Sequence, residues 1–505
     1  MQPYLLSILS GLLMTVSFPS TDWNILAWIC LIPFSMAIEG KGWKETFRIG
    51  YAGGAAFYWS LFYWLNNVTV AGFLVLTLYL ALYFPVFGIG MNWVRRKGGV
   101  PAWLFAPFFW TALEYLRTYA FTGLPWGVLG ATQYRFLHLI QIASVTGVYG
   151  VSFIVVLVNA VIYECALRRG RRCVAPVAAT FLVMALCSAY GAVSLVVGAP
   201  RAKSVRVAVI QGNVPQEEKF GEGFQREIMQ RFYDLTLSVM NRKPDIIVWP
   251  ETSVSGYYMY DPVLRTSLAA LQQETRTPLL FGSTHAIATG SGTDYFNSAF
   301  LLDAQGDPVA RYDKIHLVLF GEIIPCKRFF PFLKRLVPFE EDFSPGDAST
   351  IFSIPQGDFG VLICFEDTFP DLARETVRRG ARFLVNITND AWFGRSSQPY
   401  QHVAYAVFRC VENAVPMVRA TNSGLSCSID QRGRVRDVLR DGSGGELYVQ
   451  GTTVDDIRIS GIRTLYTEWG NIFSILCALI TAAVFGGIAL KKARSPNKFY
   501  SPKHN

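Results

Sequence analysis

Residues 361–367 read Val-Leu-Ile-Cys-Phe-Glu-Asp, an apolar run of strand length that ends at Cys364 and passes into a polar turn. Upstream, Glu251 lies in Trp-Pro-Glu-Thr and Lys314 lies in Tyr-Asp-Lys-Ile-His. A carboxylate can accept the thiol proton, an ammonium group can favour the thiolate and then stabilise an oxyanion, and the sulfur can carry an acyl group. The three residues together predict acyl transfer through a thioester.

Each of these residues also has an ordinary structural explanation. A single cysteine in an apolar strand usually packs in a core, an acid after a proline is typical of a helix N-terminus, and a hairpin lysine usually lies in solvent. Because all three occur together in one domain, the catalytic interpretation is favoured over three coincidences.

Strand patterns alternate with helix patterns around this stretch, which predicts an α/β layered domain with a mixed sheet. Strand patterns cover residues 204–211, 245–249, 278–283, 360–366, 382–388 and 416–420. A hairpin pattern covers residues 297–313 and turns at Gln305 and Gly306. Amphipathic helix patterns cover residues 224–241, 370–379 and 398–413.

The composition of the whole chain indicates an integral membrane protein. Of its 505 residues, 51% are hydrophobic and only 16% are charged, and the mean hydropathy is +0.29. The net charge of +9 comes from short Lys and Arg clusters beside apolar segments, so anionic lipid headgroups fit it better than nucleic acid does. Eight apolar segments of near-spanning length are expected at residues 4–18, 23–38, 49–65, 68–94, 101–116, 148–167, 177–197 and 469–490.

Basic residues follow the second, fourth, sixth and eighth of these segments. By the positive-inside rule, both termini are then cytoplasmic and the long loop after the seventh segment lies outside. The first segment has no basic stretch before it and runs into the second, so we expect a retained span, not a signal peptide. The predicted domains are a membrane domain with seven spans (1–198), an extracytoplasmic catalytic domain (199–467), an eighth transmembrane helix (468–490) and a cytoplasmic basic tail (491–505).

The nine cysteines show no metal-binding spacing such as Cys-x-x-Cys, and we expect neither a metal nor a cofactor. An oxidising compartment permits a disulfide among Cys326, Cys410 and Cys427, and the sequence leaves the pairing open. Cys364 must stay free if it is the nucleophile.

The motifs around the three residues resemble those of the nitrilase, or carbon–nitrogen hydrolase, superfamily. The matching pieces are residues 247–251, 312–316, 362–366 and 389–394, and Arg409 with Glu412 and Asn413. With seven apolar segments before this domain and one after it, nearly the whole chain resembles the apolipoprotein N-acyltransferase family. That resemblance implies a four-layer α-β-β-α sandwich on a membrane bundle, in a bacterial inner membrane, with the catalytic domain on the periplasmic side.

The resemblance also assigns roles to individual residues. It implies that Glu251 is the general base, Lys314 the oxyanion support and Cys364 the nucleophile. The implied reaction moves an acyl chain from a phospholipid donor to the N-terminal amine of a diacylglyceryl-cysteine lipoprotein. The residues matching supporting positions are Glu322, Glu366 and Asn297. Two departures concern lipid contact, since the resemblance leads us to expect tryptophan at Phe220 and tyrosine at Phe365.

Two segments suggest contact with lipid. Residues 326–343 mix basic side chains with Phe329, Phe330 and Phe332, a pattern suited to a bilayer interface and to a lid over a lipid site. Tyr257 and Tyr258 follow the Glu251 loop, and tyrosine favours the same depth. The alternative for both segments is a loop folded over the domain core. Residues 389–394 likewise either form a capped strand-to-helix turn or shape the site.

Two other functions stay open at this stage. One is a membrane-tethered nitrilase-type amidase, in which water resolves the thioester. The other is a non-enzymatic membrane binding module with a degenerate nitrilase-like domain, which the intact set of Glu251, Lys314 and Cys364 disfavours.

Overall fold

The computed structural model describes residues 1–120, 123–168, 173–196, 203–219, 223–290, 292–318, 321–323, 342–459 and 461–493. Within these described residues, the N-terminal part is helical, and the C-terminal part contains twelve strands in two sheets, followed by a helix. The longer helices before the first strand are Gln2–Ser17, Trp43–Leu61, Val70–Leu80, Tyr83–Gly98, Ala102–Tyr119, Val148–Arg168 and Val174–Val196.

Four helical stretches in the described part of the chain are long and apolar enough to cross a membrane: Val70–Gly98, Val148–Leu167, Val174–Val196 and Ile472–Ala493. The second predicted segment is not one straight helix, because a 3₁₀ turn at Asn24–Trp28 precedes a short helix at Ile32–Ile38. Seven residues of α-helix extend only about 10 Å, too little to cross a bilayer alone. The number of eight spans therefore stays a prediction.

The described strands β1 to β12 are, in order, Lys203–Gln211, Ile246–Val248, Leu279–Thr289, Gly292–Leu302, Pro308–Asp313, Ile351–Ile354, Gly357–Ile363, Phe383–Thr388, Met417–Thr421, Cys427–Ile429, Val435–Arg436 and Gly451–Ile459. They form two six-stranded sheets, ordered β12-β1-β2-β3-β4-β5 and β11-β10-β9-β8-β7-β6. In the first sheet β1, β2 and β3 run parallel, and in the second β7, β8 and β9 do. Residues at the carboxyl ends of neighbouring parallel strands meet at one edge, where α/β proteins commonly place their sites.

Alternating apolar residues give each sheet two buried faces. Residues such as Val207 in β1 and Val361 in β7 meet in a core between the sheets. The opposite face of the first sheet packs on helices Gln225–Ser238 and Pro262–Thr275. The opposite face of the second sheet packs on Pro370–Arg378 and Gln398–Asn413. The resulting layer order is the α-β-β-α sandwich that the resemblance implied.

The second helical layer also contacts the membrane bundle, with which it shares a continuous apolar core. Glu412 strengthens this connection, because its Oε1 accepts hydrogen bonds from the backbone N of Val148 (2.9 Å) and from Arg409 (2.8 Å). Val148 is the first residue of an apolar helix, and a carboxylate there is favoured by the helix dipole. The hydrogen bond from Val148 to Glu412 thus links the bundle to the sandwich, and Arg409, on the same helix as Glu412, holds that carboxylate in place.

The predicted strand at residues 360–366 is wrong at its end. The strand stops at Ile363, and residues Cys364–Thr368 form a 3₁₀ turn, in which the side chains of Glu366 and Asp367 bond to other segments. The sequence patterns also missed helix Pro262–Thr275 and the strands β6 and β10 to β12. Cys410 and Cys427 are free thiols in the structure, and Cys326 lies outside the described residues.

Candidate active site

Cys364 lies at the carboxyl end of β7, on the first residue of the 3₁₀ turn. Its φ of 56° falls in the left-handed region, which a residue with a β-carbon rarely adopts. Such strain persists only where the surroundings enforce it, and it concentrates at functional sites. The strand end and the turn therefore hold the thiol in a fixed direction at the sheet edge.

Glu366 supplies the restraint on this turn. Its buried carboxylate accepts hydrogen bonds from the backbone N of Ile363 (2.8 Å), the backbone N of Ile315 (2.8 Å) and the hydroxyl of Tyr312 (2.9 Å). Burial raises the pKa of Glu366 to about 7, while Lys314 and the backbone N–H groups act to lower it. Glu366 thus fastens the cysteine turn to the segment that carries Lys314, which gives this predicted supporting residue a structural role.

Glu251 follows the short buried strand β2, and its carboxylate is fixed at both oxygens. Oε1 accepts a hydrogen bond from Asn297 Nδ2 (2.7 Å), and Oε2 accepts one from the backbone N of Asn389 (2.8 Å). Asn389 comes directly after β8, the parallel neighbour of β7, so it lies at the same sheet edge as Cys364. This contact favours the site-shaping interpretation of residues 389–394, and no side chain caps the following 3₁₀ turn.

Lys314 is buried between two carboxylates. Its Nζ donates to Glu322 Oε1 at 2.8 Å and lies 3.6 Å from Glu251 Oε1. Burial lowers the pKa of Lys314, but attraction to Glu322 and Glu251 outweighs it, so the pKa is raised and the ammonium form is secure. Asn297 Nδ2 also donates to Glu322 Oε1 (2.8 Å), so one amide joins the two acids around the lysine. The Lys314 ammonium faces the Phe365 ring, 5.5 Å from its centre.

The electrostatic surroundings of Cys364 favour the neutral thiol over the thiolate. Burial raises its pKa, and the negative Glu251 raises it further, while Lys314 lowers it. The resting sulfur is therefore protonated, so it would need a base to accept its proton before it could act as a nucleophile. We call Glu251, Asn297, Lys314, Glu322 and Cys364 the reactive cluster. The described residues contain no group of three or more His, Cys, Asp or Glu side chains suited to a metal ion.

A second charged group lies behind the cysteine turn, and we call Asp367, Asp390, His402 and Arg419 the supporting cluster. Asp367 forms an ion pair with Arg419 and contacts His402 Nε2 through its Oδ1 at 2.6 Å. Burial would lower the pKa of His402, but Asp367 holds it above the usual value. The sequence analysis did not identify this cluster, because its four members come from separate elements and form no local motif.

Lys219 is a further residue that sequence reasoning missed. Its side chain is 2% exposed, and Nζ donates to the backbone carbonyl of Glu251 at 2.8 Å. It ends the polar run Gln-Glu-Glu-Lys, which is typical of a solvated helix end, so no local signal separated it from surface lysines. Burial lowers its pKa to about 8, although Glu251 and Cys364 act to raise it.

The predicted lipid contacts have different outcomes. Tyr258 was expected at an interface, but it is 2% exposed and packs against Phe281 and Phe300 in the outer core, so that assignment is corrected. Tyr257 is exposed and contacts the Tyr295 ring, and Phe365 is half-buried beside Lys314. The remaining predicted contacts lie outside the described residues: Phe220, Phe329, Phe330 and Phe332.

Comparison with known proteins divides the chain as the fold does. Residues 10–161 match the apolipoprotein N-acyltransferase N-terminal domain, and residues 206–455 match the carbon-nitrogen hydrolase domain. The second match agrees with the α/β sandwich observed in that part of the chain.

Full-length relatives extend the similarity across both parts. An apolipoprotein N-acyltransferase of Geobacter metallireducens is 38% identical over 97% of this chain and 95% of its own length. One from Allorhizobium ampelinum is 30% identical over 89% of this chain and 87% of its own. One from Chlorobaculum tepidum is 28% identical, with 97% of each chain covered. The identity, sustained across the helical part and the sandwich alike, shows that this chain belongs to the apolipoprotein N-acyltransferase family.

Proposed function

We propose that this acyltransferase moves an acyl chain from a phospholipid, through a thioester on Cys364, to the N-terminal amine of a diacylglyceryl-cysteine lipoprotein. The observation that carries the proposal is the position of Cys364, a protonated thiol on a strained turn beside a fixed carboxylate and a secure ammonium group. The apolar helices joined to this site suit two substrates that are both held in a bilayer by their acyl chains.

In the first stage, Glu251 accepts the Cys364 proton and the sulfur attacks the carbonyl carbon of a phospholipid ester. Lys314 is positioned to stabilise the tetrahedral oxyanion, and its charge is fixed by Glu322. Collapse of this intermediate breaks the ester C–O bond. Glu251 then protonates the leaving oxygen, and a lysophospholipid departs from the thioester enzyme.

In the second stage, the amine of the lipoprotein attacks the thioester carbonyl. Glu251 accepts a proton from the attacking nitrogen, the C–S bond breaks, and the proton passes to the departing thiolate. The product carries a new amide bond, and Cys364 returns to its thiol form. One site serves donor and acceptor in turn, which is ping-pong chemistry.

The intact mass of the purified enzyme tests this scheme directly. Incubation with phospholipid alone should add one acyl chain to wild type and none to Cys364→Ala. Subsequent addition of a diacylglyceryl-cysteine peptide should remove that mass and yield an N-acylated peptide. If the acyl-enzyme released free fatty acid without peptide as fast as it is discharged with peptide, the amidase-type hydrolase would be favoured. If no adduct formed at all, the binding module would be favoured.

We also propose the topology: seven spans in residues 1–198, a periplasmic catalytic domain at 199–467, an eighth helix at 468–490 and cytoplasmic termini in a bacterial inner membrane. The basic clusters after alternate apolar segments support this arrangement. A membrane-impermeant thiol reagent outside spheroplasts should then label a cysteine placed at the exposed Gly290 but not Cys173. The reverse labelling would invert the topology.

The lid proposal concerns residues 326–343. Replacing Phe329, Phe330 and Phe332 with serine should weaken use of bilayer phospholipid, since each lost anchor removes about 1–3 kcal/mol of apolar burial. A short water-soluble thioester reaches Cys364 without leaving a bilayer, so its use should fall far less. Equal losses with both donors, together with a lower melting temperature, would mean that these aromatics stabilise the domain.

A further inference from the structure

The second stage of the proposed reaction leaves one proton unassigned. The α-amino group of a peptide has a pKa of about 7.7–8.0, so near neutral pH it arrives mainly as an ammonium ion. An ammonium ion has no lone pair and cannot attack a thioester. It must lose one proton before attack and a second one afterwards, and Glu251 can accept only one of them at a time.

We propose that Lys219, in its neutral form, accepts the first of these protons from the incoming α-ammonium group. This inference rests on the proposed function and names a further catalytic residue for its second stage. The proton transfer gives a free amine and a Lys219 ammonium ion. The amine forms the C–N bond, Glu251 takes the second proton and delivers it to the departing sulfur, and Lys219 returns its proton to water.

The position of Lys219 supports this role. It ends the short helix Gln216–Lys219, and its Nζ bonds to the carbonyl of Glu251, the residue that takes the second proton. The start of the same helix is tied to the site, because Gln216 Oε1 accepts a hydrogen bond from Asn389 Nδ2 at 2.8 Å. The backbone N of Asn389 in turn donates to the Glu251 carboxylate. Lys219 is therefore held at the site both by its side chain, which bonds to Glu251, and by its helix, which bonds to Asn389.

The two buried lysines of the site have opposite environments. Lys314 lies between Glu322 and Glu251, which secure its charge. Among the described residues, Lys219 Nζ has one hydrogen-bond partner, a neutral carbonyl oxygen. The titratable groups that act on it are Glu251 and Cys364, and the neighbouring Glu217 and Glu218 are not among them. Burial brings its pKa to about 8, which matches that of a peptide α-amine and permits exchange of a proton.

The stage of the reaction at which Lys219 acts gives a sharp test. Attack on the phospholipid ester starts from a thiol and needs only Glu251, whereas transfer to the amine needs both acceptors. Lys219→Met should therefore slow discharge of the preformed acyl-enzyme to a diacylglyceryl-cysteine peptide about tenfold at pH 7, because only about a tenth of the α-amine is free at that pH. Acyl loading should fall less than discharge, by the part expected from removing one charge beside the sulfur.

The pH dependence separates proton transfer from a packing role. In Lys219→Met the peptide must enter as free amine, so discharge should rise about fivefold from pH 7 to pH 8 and approach wild type above it. Hydroxylamine is already neutral at pH 7, so it should discharge both enzymes at similar rates. Lys219→Arg keeps the charge but cannot act as a base, and it should not restore transfer. The exposed Lys203→Met is the matched control and should behave as wild type.

The inference would be overturned by equal losses in loading and discharge. It would also be overturned if the ratio of the wild-type discharge rate to the variant rate did not change with pH, or if Lys219→Arg restored transfer. Discharge of Lys219→Met at the wild-type rate would overturn it as well. Failure of wild type itself to form an acyl adduct from phospholipid would instead overturn the proposed function, so the two failures are distinguishable.

Discussion

The reactive and supporting clusters contain similar groups, but they differ in contact with the outside. In the reactive cluster, Lys314 is 1% exposed but the other four members are 6–8% exposed, whereas the four members of the supporting cluster are 0–1% exposed. The small exposed surface of the two clusters therefore lies mainly on the first group. Both clusters meet at the 3₁₀ turn, where Cys364 begins the turn and Asp367 lies three residues later.

This difference separates chemistry from support. Charged groups that are slightly exposed can exchange protons with a substrate, and removing one should reduce the reaction rate more than the stability of the fold. Sealed charges neutralise each other, and removing one leaves its partner buried without compensation, which mainly reduces stability. The two clusters thus predict opposite responses to similar substitutions.

The largest expected effect is at the nucleophile. Cys364→Ala should abolish both acyl loading and peptide acylation, and Cys364→Ser should do the same because a serine alkoxide forms far less readily than a thiolate. Cys410→Ala is the matched control, since Cys410 is equally free and buried but belongs to the helix behind the turn. Turnover by Cys364→Ala at the wild-type rate would end the thioester mechanism.

Glu251→Gln and Lys314→Met should each reduce acyl loading from phospholipid by about 10²–10⁴-fold, the range of general acid–base and oxyanion contributions. Single-turnover mass spectrometry with donor lipid alone measures this stage without the acceptor. Glu375→Gln provides a control, because that carboxylate forms an exposed pair with Arg379. Normal loading in both variants would show that the roles of Glu251 and Lys314 are misassigned.

The supporting cluster should respond in the opposite way. Arg419→Met leaves Asp367 buried without its ion-pair partner, which should lower the free energy of unfolding by about 3–5 kcal/mol. Acyl loading per folded molecule should stay within a few-fold of wild type. The exposed pair of Arg440 and Glu446 is the control, since Arg440→Met should cost less than about 1 kcal/mol. A large rate loss with unchanged stability would place Arg419 in the chemistry.

Sequence reasoning predicted Glu251, Lys314 and Cys364 as site residues because each follows a strand-like run that is visible locally. Glu251 and Cys364 each come after an apolar segment and Lys314 comes after the predicted hairpin, and the observed strands β2, β5 and β7 end just before them. The helix Gln398–Asn413 was likewise predicted with its exact ends, because its apolar residues recur with helical spacing.

Sequence reasoning failed where burial is decided by tertiary packing. Lys219 is buried by contact with a loop 32 residues away, and a run of charged neighbours concealed it. Tyr258 follows two residues after a glycine in a polar loop, yet it packs under Phe281 from another strand. The break between Asn24–Trp28 and Ile32–Ile38 also has no hydropathy signal, since the segment is apolar throughout.

The smallest expected effect tests how far the reactive cluster extends toward the turn. Phe365 lies one residue after the nucleophile, and its ring faces the Lys314 ammonium, a contact worth about 0.5–2 kcal/mol. Phe365→Leu should therefore slow acyl loading by about 2–30-fold, while Phe365→Tyr keeps the ring and should load at close to the wild-type rate. Phe369 also contacts the Phe365 ring, at 5.3 Å between centres, but Lys314 does not face the Phe369 ring, so Phe369→Leu is the matched control for lost packing.

If both leucine variants lose loading and stability in parallel, the ring of Phe365 supports the turn and has no part in holding the lysine. If only Phe365→Leu loses loading, the reactive cluster includes the aromatic ring beside its cation.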